Sequence, residues 1–419
     1  MEEDKDLTGP GRRSWLRWFL GLLCVLIVLP IVGAVALVTA LTVQGEAPGF
    51  DKAAAQGIAY TPLKQIVPGP GLPADLEVMR SNNNLDVVRY GARWYLAFRT
   101  APTHFASTKT RLVVLSSEDR SRWRKETEFQ LMQSDLREPR FLVYKGKLFL
   151  YFFRGGSNPL EFAPQSIYAT ERTGDGTWTK PRAIFKPGYV VWRAKAHGGT
   201  AYMSVYYGAG IYTTKARAGE VRLLTSTDGY AWTPISDQPQ VTEAGAEEAE
   251  FAFDDAGNLV ATVRLEVQGA LVCTASKDDL ATWDRKFTPY KYDSALMFRH
   301  GEEFYVIARR NVAGAFNRRT VFLPMPLQRA WYLLRYSLTR KRTALYKVDV
   351  AAKRLTPLFD FPSKGDTAYA GIVPLDRHSY YVVNYSSPLG GPDWPWLGGQ
   401  IAGSNLYECV LTFPGGRAD

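Results

Sequence analysis

The sequence predicts an all-β chain: a six-bladed β-propeller preceded by one N-terminal transmembrane helix. Three observations lead to this prediction. A turn-and-strand pattern recurs six times, a turn ending in tryptophan recurs at nearly even spacing, and one long apolar run lies near the N-terminus. The 36 glycines and 25 prolines among 419 residues also favour many short strands joined by turns.

The apolar run, residues 18–43, contains no charged residue. About 20 apolar helical residues span a bilayer, whereas the apolar part of a cleaved signal peptide usually has about 7–15 residues. We therefore expect an uncleaved signal-anchor helix over residues 15–43. The alternative is a cleaved signal peptide, because residues 34–36 (Ala-Val-Ala) also match a cleavage site.

The charges on either side of this run predict its orientation. Arg12, Arg13 and Arg17 precede it or lie at its start, and residues 45–51 after it carry no positive charge. Under the positive-inside rule the chain is then a single-pass cell-membrane protein with its N-terminus in the cytoplasm. This predicts the following segments: a cytoplasmic tail over residues 1–14, a linker over 44–60 and an extracytoplasmic propeller over 61–415.

Six segments share a turn, built from glycine or a polar pair, followed by an aromatic-rich strand. They are YGARWYLAFR (90–99), YKGKLFLYFFR (144–154), HGGTAYMSVYY (197–207), DDAGNLVATVR (254–264), RHGEEFYVIAR (299–309) and LDRHSYYVVNY (375–385). The turn glycines of the first five, from Gly91 to Gly301, are 44 to 58 residues apart. This period indicates a repeat architecture rather than a string of domains.

A second motif alternates with the first. SSEDRSRW, TERTGDGTW, STDGYAW and SKDDLATW end at Trp123, Trp178, Trp232 and Trp283, which are 55, 54 and 51 residues apart. An aspartate in such a turn can accept backbone N–H hydrogen bonds. Six repeats of about fifty residues and four strands describe a β-propeller, whereas a two-sheet sandwich would not explain the even spacing. We expect PLKQIV (62–67) to add an outer strand to the last blade and close the ring.

The net charge of +10 is partly local. Residues 309–342 carry nine basic residues and no acidic one. We interpret residues 311–342 as a basic insertion in the propeller, either a solvated hairpin or a surface that rests on lipid headgroups. No nucleic-acid-binding motif accompanies the charge, so no nucleic-acid partner is expected. The four histidines and three cysteines form no cluster with metal-ligand spacing, so neither a metal nor an organic cofactor is expected.

The stretch EEAEFAFDDAGNLVATVR (247–264) indicates where function lies. It reads as a hairpin with its turn near Gly257. Glu248 lies nine residues before Gly257 and Arg264 seven after it, so both should lie at the open end of the hairpin. In a propeller the open ends of the innermost hairpins meet at the mouth of the central channel. Because strand residues alternate in direction, Glu248 and Glu250 should share a side and Glu247 should take the other.

The other hairpins bring acids, arginines and tyrosines to the same mouth. The predicted partners are Asp86 with Arg99, Asp135 and Arg137 with Arg154, Arg193 with Tyr207, Asp293 with Arg309, and Asp366 and Tyr369 with Tyr385. Packing alone does not require such a ring of ionic and phenolic groups. The pattern therefore predicts a binding site for a polar ligand on the propeller axis.

The four tryptophan turns resemble Asp-boxes, the S-x-D-x-G-x-x-W turns (BNR repeats) of the sialidase, or neuraminidase, superfamily. The spacing from Glu248 to Arg264 is similar to that family's blade with a catalytic glutamate and a carboxylate-binding arginine. GDTAYAGIV (365–373) resembles the segment that holds its nucleophilic tyrosine, which implies Tyr369, and Arg309 is placed like a further substrate-binding arginine. With NNNLDVV, SDLREPR and VVWR, these segments resemble a bacterial sialidase-like subgroup over about residues 80–413.

The chain also departs from that family. Sialidases carry an Arg-Ile-Pro motif in the first inner strand, whose arginine completes a triad around the substrate carboxylate. Here the region reads SNNNLD (81–86), with no arginine. Arg99, Arg137 or Arg193 could supply it from elsewhere in the ring.

The resemblance implies hydrolysis of an acidic sugar or glycan. A carboxylate nucleophile would be repelled by the sugar carboxylate, and a tyrosine polarised by a glutamate avoids this repulsion. Tyr369 would attack and Glu248 would take its proton. Asp86 or Asp135 would be the general acid, with a pKa raised by burial. The substrate-binding candidates are Arg264, Arg309, Arg99, Arg137, Arg193 and Tyr385.

Two alternatives stay open at this stage. In the first, Asp86, Asp135 and Glu248 form a carboxylate set that acts on a neutral or uronic-acid sugar, and Tyr369 only hydrogen-bonds to it. In the second, the propeller is not an enzyme and binds a glycan or a protein at the cell surface.

Overall fold

In a computed structural model of the chain, the described residues are 11–42, 47–159, 161–208, 219–316 and 324–415. Residues 1–10 of the predicted tail, residue 43 of the predicted anchor, residues 44–46 of the predicted linker and residues 317–323 of the predicted insertion lie outside them. The chain divides into two compact units between Gln44 and Gly45. The first contains one helix and the second contains all the strands.

Helix α1, Gly11–Thr42, continues through Pro30. Its segment Trp18–Ala36 has a mean hydropathy of 2.8 and no buried residue, so it is long and apolar enough to cross a membrane. Both a membrane anchor and a signal sequence have these properties.

The second unit is a six-bladed β-propeller, as predicted. Short strands β1 (Ala59–Tyr60) and β2 (Lys64–Val67) come first in the chain. Blade I contains β3 (Ser81–Tyr90), β4 (Arg93–Ala101), β5 (Arg111–Ser117) and β6 (Arg124–Phe129). Blade II contains β7 (Asp135–Tyr144), β8 (Lys147–Gly155), β9 (Pro164–Gly174), β10 (Thr177–Trp178) and β11 (Arg182–Ala183). Blade III contains β12 (Tyr189–His197), β13 (Thr200–Tyr207), β14 (Val221–Ser226) and β15 (Thr233–Pro234).

The second half of the ring repeats this order. Blade IV contains β16 (Ala246–Phe253), β17 (Leu259–Leu265), β18 (Ala270–Ser276) and β19 (Asp279–Thr288). Blade V contains β20 (Asp293–His300), β21 (Glu303–Asn311), β22 (Lys341–Asp349) and β23 (Arg354–Phe361). Blade VI contains β24 (Thr367–Pro374), β25 (Ser379–Ser386) and β26 (Asn405–Thr412). Helix α2 (Met325–Ser337) lies between β21 and β22, and helix α3 (Trp396–Ala402) lies between β25 and β26.

The ring closes by two contacts between distant parts of the chain. Strands β1 and β2 pair with β26, so the N-terminal segment supplies the outer strands of the last blade, as predicted for residues 62–67. The inner strand β24 also contacts β3 of the first blade. Gly371 of β24 permits this contact, because a Cβ atom there would lie 2.8 Å from the Val87 side chain and 2.9 Å from its backbone nitrogen.

The first, third and fourth tryptophan turns contain the aspartate hydrogen bonds that the sequence predicts. In the third turn, Asp228 Oδ1 accepts the backbone N–H groups of Tyr230 and Ala231 at 2.7 and 2.8 Å. Asp119 does the same for Ser121 and Arg122 in the first turn. The indole N–H of Trp232 donates to the carbonyl oxygen of Gly229 at 3.1 Å and so covers its turn.

The described part of the basic insertion contains a helix, so the hairpin interpretation is wrong. Helix α2 occupies residues 325–337, and its inner face buries Tyr332, Arg335 and Tyr336. The Tyr336 hydroxyl donates to Asp293 Oδ2 of β20 at 2.6 Å. The apolar residues of this segment follow the spacing of a helix and not the alternation of a strand. Tyr332 and Tyr336 lie one helical turn apart and pack together with Phe316.

We expect Gly371→Ala to destabilise the propeller by about 1–3 kcal/mol, because the new methyl group must displace the backbone of the neighbouring blade. The midpoint of thermal unfolding of the full chain should fall. Gly390→Ala is the matched control, since a Cβ atom there meets nothing within 4 Å. Equal midpoints for the two variants would contradict a tight closure at Gly371.

Candidate functional site

Each of the six inner strands carries a β-bulge near its N-terminal end. The register shifts fall at Asn84 in β3, Glu138 in β7, Trp192 in β12, Glu248 in β16, Ser294 in β20 and Tyr369 in β24. All but Trp192 have positive φ angles, between 43° and 69°. A bulge inserts one unpaired residue and redirects its side chain, and non-glycine residues rarely adopt this backbone region. We call these six the bulge ring.

Five members of the bulge ring line one cavity of about 400 Å³, and Trp192 lies buried beside them. This volume is typical of small-molecule sites. Leu333 of α2 and Trp396 of α3 also line the cavity, so both helices border its mouth. Among the predicted site residues, those on the cavity wall are Tyr369, Glu248, Asp135, Arg264, Arg309, Arg137 and Tyr385. Those that do not line it are Asp86, Arg99 and Arg193.

Arg264 is enclosed by four carboxylates. Its Nη1 lies 2.6 Å from Glu248, its Nε lies 3.0 Å from Glu247 and 3.4 Å from Asp293, and its Nη2 donates to Glu266. Burial alone would lower the pKa of Arg264, but the four acids raise it well above its usual value. Every guanidinium nitrogen therefore already contacts an acid, which limits the ability of Arg264 to bind a further carboxylate from a ligand.

The bulge at Glu248 breaks the predicted alternation. Glu247 and Glu248 both contact Arg264, whereas Glu250 accepts a hydrogen bond from Arg193 at 2.6 Å on the neighbouring blade. The prediction that the side chains of Glu248 and Glu250 lie on the same side of the sheet is therefore wrong. The extra residue at the bulge reverses the side on which the following side chains lie. Burial raises the pKa of Glu247 well above its usual value, although Arg264 opposes the shift.

Arg309 connects blades V and VI. Its Nε donates to the Thr367 carbonyl oxygen at 2.8 Å and its Nη2 donates to the Tyr385 hydroxyl at 3.2 Å. The guanidinium carbon lies 4.9 Å from the ring centre of Trp396. Burial lowers the pKa of Arg309, but Tyr385 and neighbouring groups that include Asp366 raise it by more than burial lowers it. The guanidinium therefore stays charged.

A histidine that the sequence analysis did not select also lies on the cavity wall. His104, in the loop after β4, is joined through Nδ1 to Asp366 Oδ2 at 2.6 Å. Asp366 also accepts the Trp396 indole N–H at 3.0 Å. Burial lowers the pKa of His104 despite the opposing effect of Asp366. Burial raises the pKa of Asp366, but His104 and Arg309 lower it more, so the carboxylate stays ionised.

Asp135 is held between two arginines. Arg99 donates to it through Nε at 2.9 Å and Nη2 at 3.1 Å, and Arg137 donates through Nε at 2.8 Å. Burial raises the pKa of Asp135, but Arg137 and Arg99 lower it more, to below its usual range. The expectation of a raised pKa is wrong for Asp135. Arg99 is fully buried and serves this ion pair, whereas Arg137 faces the cavity.

Asp86 does show the predicted rise in pKa, mainly from burial. It is not on the cavity wall, however: its oxygens accept the Val87 and Phe141 backbone N–H groups at 3.0 and 2.8 Å, and Arg193 lies 3.7 Å away. These contacts satisfy Asp86 and Arg193 within the protein.

The hairpin registers explain which predicted pairs form. Asp293 lies opposite Arg309, as predicted. The pairing of Asp86 with Arg99 is wrong, because Arg99 lies opposite Asn83, next to the bulge. The pairing of Arg193 with Tyr207 is also wrong. The remaining opposed residues are Arg193 with Ser204, Tyr207 with Tyr189, Arg154 with Leu136, and Tyr385 with Ala368.

Tyr369 carries a buried hydroxyl with no hydrogen-bond partner among the described residues. An unsatisfied buried polar group costs about 1–3 kcal/mol and calls for a reason. The Tyr369 ring packs edge-on against Trp192 at 5.1 Å, and the Arg140 guanidinium carbon lies 4.1 Å from the ring centre. Arg140 is itself fully buried. A cation over the ring favours negative charge on the phenol.

Glu138 is a second cavity residue that was not predicted from the sequence. It accepts the Asn84 side-chain N–H at 3.2 Å, its other oxygen lies 3.7 Å from Arg140, and it lines the cavity. Burial raises the pKa of Glu138 to about 8, with Arg140 lowering and Glu248 raising it. The signal was present: Glu138 precedes the turn glycine Gly146 by 146 − 138 = 8 residues, close to the nine between Glu248 and Gly257.

Over the described ranges, no group of three or more His, Cys, Asp or Glu residues is arranged to hold a metal ion. The cavity wall instead offers arginines, carboxylates, a histidine and tyrosines, which suit hydrogen bonding to a polyhydroxylated or acidic ligand.

The fold is similar to that of solved sialidase structures. Trypanosoma rangeli sialidase in complex with the inhibitor DANA matches with a TM-score of 0.58 and 13% identity, over 86% of this chain and 60% of that one. A Hadza microbial sialidase matches with a TM-score of 0.52 and 13% identity, over 78% of this chain and 65% of that one. A protein of unknown function from Dyadobacter fermentans matches with a TM-score of 0.59 and 15% identity, over 85% and 100%.

Neither the protein-family models nor the curated protein sequences contain a match to this chain. At these identities the structural likeness establishes the sialidase-like six-bladed propeller and nothing finer. The chain spans less than two thirds of the length of both sialidases cited.

We expect Arg264→Met to destabilise the protein by about 3–5 kcal/mol at pH 8, because it leaves buried carboxylates unpaired. Without Arg264 the folded-state pKa values of these acids rise above their unfolded values. Acids whose pKa is higher in the folded state favour folding at low pH, and this effect disappears as the pH rises. Arg264→Met should therefore destabilise the protein less at pH 5 than at pH 8. Chemical denaturation at both pH values measures it.

Arg285→Met is the matched control, because Arg285 forms a half-exposed ion pair with Glu243. It should cost less than about 1 kcal/mol at either pH. A loss for Arg264→Met that is equally small, or that does not change with pH, would contradict the role of Arg264 as the centre of the acid cluster.

Proposed function

We propose that this chain is a membrane-anchored, extracytoplasmic, sialidase-like glycoside hydrolase that acts on an acidic sugar or glycan. The observation that carries the proposal is the unpartnered Tyr369 hydroxyl at a cavity whose wall also contains Glu248 and Glu138. Arg140 contacts both the Tyr369 ring and Glu138. Glu248 in turn influences the charge of Glu138. The side chains of Tyr369, Glu138 and Glu248 therefore lie close together.

In this proposal Tyr369 is the nucleophile. Its oxygen forms a bond to the anomeric carbon while the bond to the leaving-group oxygen breaks, and water later hydrolyses the glycosyl–tyrosine intermediate. Arg140 beneath the ring stabilises the negative charge that develops on the phenol. Glu248 takes the phenolic proton. It is held for this role by Arg264 at 2.6 Å and by the Ser294 backbone N–H at 2.7 Å.

Glu138 replaces Asp86 and Asp135 as the proton donor to the leaving group. Asp135 is ionised between Arg99 and Arg137, and Asp86 is not on the cavity wall. With a pKa of about 8, Glu138 is protonated at neutral pH and lies on the wall. A general acid with a pKa near the working pH is the most effective one.

The acidic group of the substrate is assigned to Arg309 and Arg137. Arg264 is already bound by carboxylates on every nitrogen, so we give it the task of orienting Glu248. Arg309 borders the cavity, and its Nη1 is 4.0 Å from the Asp293 carboxylate, longer than a hydrogen bond. Tyr385 fixes its other branch, and Trp396 offers a flat face beside it for a sugar ring.

The predicted segments become part of the proposal. Residues 15–43 anchor the chain in the cell membrane with residues 1–14 in the cytoplasm, and residues 44–60 link the anchor to an extracytoplasmic propeller over 61–415. The helix α1 and its apolar segment support the anchor. A glycan is the ligand, and no nucleic acid is involved.

A second candidate is a propeller that binds a glycan or protein without cleaving it. Two observations favour it: the bulge position of blade I carries Asn84, not an arginine, and Arg264 is fully engaged by acids. The cavity then has fewer cations free for a substrate carboxylate than a three-arginine site would offer.

We expect Tyr369→Phe to lower turnover of chromogenic sialosides by roughly 10³-fold or more while substrate binding persists, because the attacking oxygen is removed. A fluorinated sugar that traps the intermediate should label Tyr369 in the wild type. Tyr90→Phe is the matched control: it removes a hydroxyl that is bonded to the Gly146 carbonyl oxygen, and neither residue lines the cavity.

The outcomes separate the hypotheses. Retained turnover in Tyr369→Phe with complete loss in Glu248→Gln would favour the carboxylate set over a tyrosine nucleophile. Glycan binding by the wild type with no sugar released from any substrate would favour the binding protein.

We expect activity to fall as the pH rises through about 8, because Glu138 loses the proton that it donates. Glu138→Gln should remove this basic limb. It should lower turnover about 10²–10⁴-fold for glycosides with poor leaving groups and much less for those with activated leaving groups. Glu303→Gln, at an exposed ion pair with Lys347, is the control. A basic limb that survives in Glu138→Gln would assign the proton donor elsewhere.

A further inference from the structure

Helix α2 presents apolar side chains on both of its faces. The inner face buries Tyr332, Arg335 and Tyr336. On the outer face, Leu327 and Leu334 are 54% and 45% exposed, and they lie seven residues apart on one stripe of the helix. A helix with one face packed on a protein and the other in water would carry polar residues at these outer positions. The outer face of α2 therefore fits an apolar surrounding.

Further exposed apolar residues lie on and beside helix α3. We define the mouth patch as Met325, Leu327 and Leu334 of α2 together with Trp394 and Ile401 at α3, each at least 43% exposed. Elsewhere in the described residues of the second unit, the exposed large apolar residues are Phe50, Met132, Val143 and Phe287. Five of these nine residues therefore lie on, or just before, two neighbouring helices. Such concentrations mark interaction surfaces.

The mouth patch borders the cavity. Tyr336 of α2 packs edge-on against Trp396 of α3 at 5.4 Å, which joins the two helices. Leu333 and Leu397, one on each helix, line the cavity. A molecule that covers the patch therefore lies at the entrance to the candidate active site.

The charges beside the patch are basic. Residues 309–342 contain no acid, and Arg329 and Arg340 lie on and just after α2. The nearby Asp393 is neutralised by Arg342 at 2.6 Å and by Arg340 at 3.5 Å. Apolar side chains with a tryptophan and arginines at the edge are the composition of helices that lie in the headgroup region of a bilayer.

We propose that the mouth patch lies on the surface of a lipid bilayer, and that the substrate is a glycan carried on a lipid. The sugar then enters the cavity while the lipid part stays in the bilayer. The second half rests on the proposed hydrolytic function, whereas the membrane contact does not. The chain also contains a helix apolar enough to cross a membrane, which supports the choice of a bilayer over a protein partner.

Fluorescence in vesicles tests the membrane contact. The full chain with Cys24→Ser leaves only the buried Cys273 and Cys409 as native thiols. Leu334→Cys and Phe287→Cys, 45% and 46% exposed as native side chains, are then labelled with an environment-sensitive dye. The vesicles contain phosphatidylcholine, phosphatidylglycerol and a nitroxide-labelled lipid.

We expect the dye at position 334 to shift to the blue and to lose most of its emission to the nitroxide, and the dye at position 287 to do neither. Equal quenching at the two positions would overturn the proposal and leave a protein as the occupant of the patch.

Kinetics test the substrate half. The double variant Leu327→Gln, Leu334→Gln should hydrolyse a sialyllactosyl lipid in vesicles about tenfold more slowly than the wild type, because two apolar contacts with the bilayer are lost. Hydrolysis of free sialyllactose should be unchanged. An equal loss on both substrates, or on neither, would overturn the lipid-carried substrate.

A wild type that hydrolyses neither substrate would overturn the proposed function and the lipid-carried substrate together. The nitroxide result would still decide the membrane contact, because it does not depend on turnover.

Discussion

The β-bulge at one level of all six inner strands is the constraint on which the site depends. In a regular strand, successive side chains point to opposite faces of the sheet, and these faces lie between neighbouring blades. The extra residue in each strand turns one side chain out of that alternation, and five of the six line one cavity. The positive φ angles at Asn84, Glu138, Glu248, Ser294 and Tyr369 are the backbone strain that accompanies this arrangement. Stable packing of the blades on both sides must hold it.

The bulge ring also explains how so many charges can be buried near the axis. Taking an ion out of water is unfavourable unless a partner of opposite charge and hydrogen bonds replace the solvent. Residues close to the bulge ring supply such partners from adjacent blades: Arg99 of blade I for Asp135 of blade II, and Arg193 of blade III for Glu250 of blade IV. Fixed charges of this kind need little reorganisation when charge develops nearby during a reaction. The same residues can therefore stabilise the fold and take part in the proposed chemistry.

A buried hydrogen bond connects the insertion in blade V to this network. The Tyr336 hydroxyl of α2 binds Asp293, which also lies 3.4 Å from Arg264. Asp293 has a lowered pKa, because Arg264, Lys291 and Arg309 outweigh the effect of its burial. The helix that borders the cavity mouth is therefore fastened to the same acid cluster that orients Glu248. Its outer face is left apolar, so the inner and outer faces of one helix serve different surroundings.

The sequence by itself determined the repeat, the blade number, the tryptophan turns, the strand that closes the ring and the apolar N-terminal helix. These features depend on local patterns, because a turn glycine and alternating strand residues fix a hairpin within about twenty residues. The pairing of Asp293 with Arg309 was correct for the same reason.

Only the tertiary structure decided which side chains meet. A bulge moves the register by one residue without an obvious mark in the sequence, so Asp86 is not opposite Arg99, and Glu250 turns away from Glu248. His104 meets Asp366 across 262 residues of chain, and Glu138 acquires its raised pKa only when Asn84, Arg140 and Glu248 surround it. Such contacts depend on how six twisted blades close into a ring, which no local pattern specifies.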